Sequence, residues 1–423
     1  MTTNNLDKTT LSSVEASALS APVSKEASGI LSRGNFTIRP AISTASPSDV
    51  SHIDFRHEVG WIMSLQHLTL EFQADTTSSG GGGTYDRFPN YIWNIIDRME
   101  LIHSGVVLWN IQNFGIWMSQ EYALRTDLNS DIQGSVFFGS GTQIQRNTWG
   151  TANKLYKVPF SLFLHNPALE VSNVFPLPLF PEGLQLRVYW KSALTSIETD
   201  FTTGNYAITN LQVRGDNIVP SSAQIQKYRE MIRTGNFRIN AVNVSMLQNT
   251  LALGSTSYDV TINAKRKNLR KLSHVFQTQA NQTGLTVNDK NLLWVNNGLS
   301  TYNYLDQGGS QIYRENVRCL AQFIPEAFQE LLSLDESQYF YELPFKQRSL
   351  FTETNWLGNS CLFGKNFLRS PIDPDTISGV LFDQLTLQIV LSGALATASS
   401  LITFVTSDAI VTANSSGLLR VEV

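Results

Sequence analysis

The chain has 423 residues, a formal net charge of −4 and 16% charged residues, against about 25% in an ordinary soluble domain. That length exceeds the about 100–200 residues of one usual domain, so two domains plus an extension are expected, each able to bury its own core. The negative balance excludes a general or sequence-specific nucleic-acid binder, which needs cations to neutralise many phosphates.

Residues 1–34 are small and polar without sustained periodicity, and read as an extended N-terminal arm, not a domain. From Asn35 the pattern turns β-like: NFTIRP, then a run in which Leu68, Leu70 and Phe72 alternate with Thr69, Glu71 and Gln73. The glycine tract at 78–83 is a flexible loop; no Gly-Lys-Ser or Gly-Lys-Thr follows it, so it is not a phosphate cradle. Two further strands, 91–102 and 106–111, join through Ser104 and Gly105, and a short helix fits 114–124. Residues 127–150 are rich in turn formers and are expected as a long surface loop.

Phe160, Leu162 and Leu164 suggest a strand covered on both faces. Leu184, Leu186, Val188 and Trp190 alternate with Gln185, Arg187, Tyr189 and Lys191 as a half-buried one. Between them Pro167, Pro176, Pro178 and Pro181 withhold backbone donors, so the chain crosses a barrel end there. This closes one barrel, with the boundary at about 198/199. A second series opens with Tyr206–Val213. A helix capped by Ser221 or Ser222 follows, with Ile225, Tyr228 and Ile232 on one face and Gly235 at its end. Strands at 237–247 and 258–264, a loop-rich region at 279–309, a helix from Pro325 and closing strands from Leu385 repeat the plan of the first half. The expected organisation is an all-β chain with a few short helices: arm 1–34, first barrel 35–198, second barrel 199–423.

Chemistry finds little footing. His52, Asp54, His57 and Glu58 crowd in SHIDFRHE, but the histidines are five apart, which suits neither one helix face nor one strand face. The two cysteines, Cys319 and Cys361, cannot build a disulfide framework and lack metal-ligand spacing. There is no G-x-S-x-G elbow, and no cofactor, metal or catalytic set is expected. No apolar run approaches the about 18 residues of a bilayer span, and MTTNNLDKTT lacks the parts of a secretory signal, so the protein is expected to be soluble and made inside a cell. Lys265, Arg266, Lys267, Arg270 and Lys271 form the strongest charge cluster. It reads as a solvated loop and helix start, or as a contact for nucleic acid, acidic headgroups or an acidic neighbour. Trp149, Trp294 and Trp356 sit in loop-like sequence and are the interface candidates, since a loop aromatic needs somewhere to be buried. Trp61, Trp93, Trp109 and Trp190 lie in strand-like runs and are assigned to barrel interiors or contacts between subunits.

The stretches YIWNIIDRMELIHSGVVLW (91–109), PFSLFLHNP with FPLPLFPEGLQLRVYW (to Trp190), NYAITNLQVRGDNI with the helix after it, and SYDVTINAKRKNLRKLSHVFQ recur in a telling order. In this layout the chain resembles the double jelly-roll major capsid proteins of tailless icosahedral phages, adenovirus, and virophage and Polinton-like viruses. The resemblance implies two consecutive eight-stranded jelly-roll barrels, with function carried in loops that leave the core untouched. It implies a homotrimer that tiles an icosahedral capsid as a pseudo-hexagonal block, made and assembled inside the host cell. Partners are then neighbouring trimers, penton and minor capsid proteins, and an internal membrane met through the N-terminal arm. Residues 75–84, 128–150 and 279–309 would supply outer or intersubunit loops. The alternative is a β-sandwich carbohydrate-binding or adhesin-type surface protein, whose loop aromatics would stack on sugars.

Overall fold

In a computed structural model of the chain, the structure describes residues 30–63, 68–125, 136–162, 174–263, 266–289, 291–313, 315–334, 351–367, 380–382 and 384–422. Alternation of apolar and polar side chains builds its strands. In the first half these are β1 (Ile30–Ile38), β2 (Val50–Phe55), β3 (Thr69–Thr76), β4 (Ile96–His103), β5 (Val106–Gln112), β6 (Lys154–Pro159), β7 (Leu184–Trp190) and β8 (Tyr206–Pro220). They hydrogen-bond antiparallel in two sheets, in the orders β1-β8-β3-β6 and β2-β7-β4-β5. The short strands Trp61–Met63 and Val174–Phe175 extend the first sheet.

The second half repeats the arrangement. Its strands are β9 (Arg238–Leu251), β10 (Ser257–Ile262), β11 (Arg266–Thr278), β12 (Leu299–Leu305), β13 (Val317–Arg318), β14 (Leu362–Asn366), β15 (Leu385–Leu391) and β16 (Ser399–Ala413). Their sheet orders are β9-β16-β11-β14 and β10-β15-β12-β13. Adding eight to each label of the first pair of sheets gives the second pair. Two four-stranded sheets whose first strand lies beside the eighth, and second beside the seventh, are the winding of a jelly roll. The chain therefore holds two of them in tandem.

Each strand's burial follows from its sequence. Leu184, Leu186, Val188 and Trp190 of β7 are buried, as are Leu385, Leu387, Ile389 and Leu391 of β15, while the residues between them are more exposed. The β4–β5 hairpin turns on Ser104 (φ 47°) and Gly105 (φ 79°), positive φ at both positions as a type I′ turn requires. At Gly364 a Cβ would lie 2.0 Å from the Leu272 carbonyl oxygen, so β14 approaches β11 this closely only because the residue is glycine.

Four longer helices lie in the connections: α1 (Phe114–Arg125), α2 (Gln143–Gly150), α3 (Ser222–Arg233) and α4 (Ile324–Ser333). Helix α3 joins the barrels. Ser221 is its N-cap, its hydroxyl accepting from the Gln224 N–H at 3.3 Å, and Gly235 (φ 70°) follows its end. Tyr228 and Ile232 are buried, Tyr228 edge-on to Trp61 with centroids 4.7 Å apart. Ser221→Ala is expected to lower stability by about 1 kcal/mol, read from the midpoint of denaturant unfolding at unchanged slope.

Several expectations are corrected. Tyr206–Val213 does not open the second series: it is part of β8, which pairs with β3 and β1 and completes the first barrel. Strand β1 starts at Ile30, inside the expected arm, while residues 1–29 lie outside the described residues. The strand expected at 160–164 ends as β6 at Pro159, with Leu162 buried in a turn and Phe163 and Leu164 outside the described residues. The expected loop 127–150 contains α2, held by a capping box between Thr142 and Gln145; its sequence, QIQRNTWG, has too few apolar residues to show a helical stripe. Region 279–309 contains β12, an interior strand of its sheet.

Candidate assembly surfaces and the seam between the barrels

The connections after the third, fifth and seventh strands of the first barrel converge on the connection after the third strand of the second. The focus is Glu198, whose side chain is fully buried. It accepts from Arg87 Nε at 2.7 Å and from Arg146 Nη1 at 3.1 Å, and both guanidiniums are almost wholly buried. Arg146 Nη2 also reaches Asp289 at 3.0 Å, and its Nη1 donates to the Phe88 carbonyl at 2.8 Å. Arg87 donates to Asn147 Oδ1 at 2.9 Å and to Asn288 Oδ1, and the Asp289 N–H donates to Glu198 Oε1. The Thr199 N–H donates to the Leu285 carbonyl at 2.9 Å, and Asn291 Nδ2 to the Thr195 carbonyl at 3.1 Å. Burial holds the Glu198 carboxyl above its ordinary range, against the opposing pull of Arg146 and Arg87. The loop ends of the two barrels are thereby fastened together through a largely buried, charged cluster.

A second seam runs along the side of the barrels. Helix α1 leaves the end of β5 and lies over the outer face of β11 in the second barrel. Ser273 Oγ donates to Gln120 Oε1 at 2.8 Å, and Lys271 Nζ donates to Glu121 Oε1 and, at 3.4 Å, to the Leu334 carbonyl. Lys271 and Ser273 are each 2% exposed as a result. His103, at the end of β4, links the barrels again: its ring lies 2.7 Å from the Gly183 carbonyl and 3.3 Å from that of Gly417.

These contacts relocate the charge cluster read from the sequence. Arg266–Thr278 is a strand, not a loop and helix start. Arg270 is buried and paired with Asp408 at 2.7 Å, and Lys271 lies in the seam, so neither offers charge to an outside partner. Arg266 pairs with Phe382 through the backbone and Lys267 belongs to the same strand, while Lys265 lies outside the described residues.

The three loop tryptophans divide. Trp294 is 3% exposed, its Nε1 donating to the Asn291 carbonyl at 2.9 Å; Trp356 is fully buried, its Nε1 donating to the Leu362 carbonyl at 2.7 Å. Both are interior residues of the second barrel and not anchors for another molecule. Only Trp149 keeps part of its ring at the surface, where Lys154 Nζ sits 3.4 Å from the ring centroid. Partial burial lowers the Lys154 ammonium to about 8. Trp61, Trp93, Trp109 and Trp190 are buried. His52 and Asp54 lie on the wet face of β2, with His57 and Glu58 exposed just after it. Among the described residues no group of His, Cys, Asp and Glu has the arrangement of a metal site.

Glu198, Arg87, Arg146 and Asp289 were not singled out in the sequence. No local pattern marks them, because they meet from separations of 52 residues (Arg146 and Glu198) to 143 (Arg146 and Asp289). The one available signal was a lone glutamate flanked by Ser196, Ile197 and Thr199 at a proposed boundary.

Two jelly rolls of identical strand order, joined by one helix and fastened at loops and flank, define the double jelly-roll class. Among solved structures the chain is similar to PBCV-1 VP54 as fitted into a reconstruction of the virophage Sputnik, with a TM-score of 0.62 and 12% identity over 93% of this chain and 97% of that one. It is similar also to the Faustovirus major capsid protein, with a TM-score of 0.59 and 10% identity over 90% of both chains. The mavirus major capsid protein gives a TM-score of 0.50 at 10% identity, over 92% of this chain and 90% of that one. At such identities the likeness is one of fold. No family model matches the sequence, and no curated protein matches it.

Proposed function

We propose that this chain is a major capsid protein, which self-assembles as pseudo-hexagonal trimers into the icosahedral shell of a virus. The observation that carries the reading is the duplicated strand order: one chain supplies two equivalent barrels, so three chains supply the six sides of a tile. The rigid fastening of barrel to barrel at Glu198 and at α1 supports it, because a tile must keep its shape. The similar chains from Faustovirus and mavirus are major capsid proteins by name. The buried positions of Trp294 and Trp356 take away two of the three loop tryptophans that a carbohydrate-binding reading would use.

The role is structural and not catalytic. Its place is the virion shell, after assembly inside the host cell, and its partners are further trimers, penton and minor capsid proteins, and an internal membrane approached by the N-terminal arm. The barrels divide at α3. Purified protein is expected to sediment at three times 47.2 kDa, and electron micrographs of native material should show icosahedral particles. A protein that stays monomeric at all concentrations and binds glycans would overturn the reading.

A further inference from the structure

Strand β2 is an edge of its sheet: it pairs with β7 and, among the described residues, with no other strand. Its ladder shows which backbone groups are already used. The Trp190 N–H donates to the Asp49 carbonyl at 3.0 Å, and the register continues without a shift from Val50 opposite Tyr189 to Phe55 opposite Leu184. Hydrogen-bonded pairs alternate along an antiparallel ladder, so Ser51, Ile53 and Phe55 turn their N–H and C=O groups to β7. Those of Val50, His52 and Asp54 point the other way, where no strand lies among the described residues. The side chains alternate in step: Ser51, Ile53 and Phe55 are buried, and Val50, His52 and Asp54 are exposed.

This open edge is one wall of a groove of about 670 Å³. The other wall is the end of β1 and the chain after it, with Thr37, Ile38 and Ile42, and Val59 lies at its foot. Ile42 is 73% exposed and Val50 39%. Sheet edges are ordinarily guarded by proline, lysine or a bulge, and β2 has none of these. The chain itself starts near the foot of this groove. The Asn217 side chain donates to the Val59 carbonyl at 2.6 Å, and Asn217 pairs with Gly34 of β1. Ile30 therefore stands four residues, about 13 Å, below that point. Residues 24–29 span up to about 20 Å. Before them comes ASALSAPV (16–23), which is uncharged and carries Leu19, Ala21 and Val23 at alternate positions.

We infer that residues 19–23 dock in this groove as an additional strand on the free edge of β2 of the same chain. Strand β1 leaves Ile30 toward the far end of the groove, where residues 39–49 turn the chain back into β2. A segment that reverses before Ile30 accordingly lies parallel to β2. In a parallel ladder, a residue that turns its N–H and C=O to its neighbour sits beside the residue between the two it bonds. Ala21 then bonds to His52 and Asp54 and lies beside Ile53, with Leu19 beside Ser51 and Val23 beside Phe55. All three apolar side chains fall on the buried face. Ser20 and Pro22 fall on the wet face with their nitrogens turned outward, where an edge strand holds proline without losing a bond. Residues 1–18 are left for the outside partners proposed above. The inference goes beyond the capsid reading and does not rest on it, since one copy of the chain contains both parts.

The test uses the full chain carrying Ser20→Cys with His52→Cys, two wet-face positions that the register sets side by side. After oxidation a non-reducing denaturing gel should show the mass of one chain, and peptide mapping a 20–52 disulfide, since the two native cysteines are buried. Hydrogen exchange gives a second readout. Ala21→Pro removes an N–H that the edge of β2 would accept, and should speed exchange of the Val50, His52 and Asp54 amides by about tenfold or more. Ser20→Pro removes only an outward N–H and should leave those rates as in wild type. Cross-links that join two chains would overturn the inference in favour of an arm from another copy. Equal exchange at those amides in wild type and Ala21→Pro, without a 20–52 bond, would overturn it as well, and either failure leaves the capsid reading standing.

Discussion

Replacing Glu198 by alanine is expected to cost about 3–5 kcal/mol of stability, the effect of breaking a buried ion pair by removing one partner. Three features place it in that range. The carboxylate is fully buried and faces two guanidiniums that are themselves 3–4% exposed, so truncation leaves cations with no water to turn to. Both carboxylate oxygens accept hydrogen bonds, Oε2 from the two arginines and Oε1 from the Asp289 N–H, so three donors lose their acceptor together. Asp289 meets Arg146 from a site 31% exposed, where water weakens its hold, so it replaces little of what is lost. Guanidinium unfolding of wild type and Glu198→Ala measures the difference. A loss below about 1 kcal/mol would mean that water reaches the cluster freely. Because the cluster joins loops of both barrels, the wild type is expected to unfold in one transition and the variant to show separate unfolding of the two halves.

The parts of this molecule legible in the sequence are those in which neighbours in sequence are neighbours in space. The alternation of β7 and β15, the capped stripe of α3 and the Ser104–Gly105 turn are each contained in a dozen residues or fewer, and their physics is complete at that range. Sheet membership is not of that kind. Tyr206–Val213 alternates as any strand does, and only its pairing with β3 and β1, more than a hundred residues upstream, assigns it to the first barrel. Charge misleads for the same reason. Arg270 and Lys271 look solvated in a run of five cations, yet Asp408 and Glu121 arrive from remote strands and helices to bury them. Trp294 and Trp356 sit in irregular sequence, but irregular chain in a barrel of this size also lines the interior, and both indoles find carbonyl acceptors there. The seam at Glu198 had the weakest signature of all, because its members come from four separate connections.

Acid should weaken the second barrel through His274. The ring is fully buried between the sheets, with Nδ1 2.8 Å from Thr403 Oγ1 and Nε2 2.8 Å from Tyr304 Oη. A neutral imidazole suits this pocket, since one nitrogen donates and the other accepts, and either hydroxyl can serve either role. Protonation would require both hydroxyls to accept and would place a charge among Tyr304, Phe363 and the barrel core. Burial accordingly lowers the His274 pKa from 6.5 to about 3. A histidine whose folded pKa is depressed binds its proton in the unfolded chain first, so its contribution is fully present above about pH 6.5 and is lost as pH falls toward about 3. Across that window the loss is on the order of 4–5 kcal/mol, at 1.36 kcal/mol per pH unit. Carboxylates also titrate there, so the discriminating quantity is the difference between wild type and His274→Gln, whose amide keeps a donor and an acceptor but no titration. Denaturant unfolding at pH 7, 6, 5 and 4 should give a variant that is less stable at neutral pH yet loses stability more slowly with acid, by close to one proton's slope. Parallel pH dependences for the two proteins would show that the imidazole is already solvated in the folded state, and that the core of this barrel admits water.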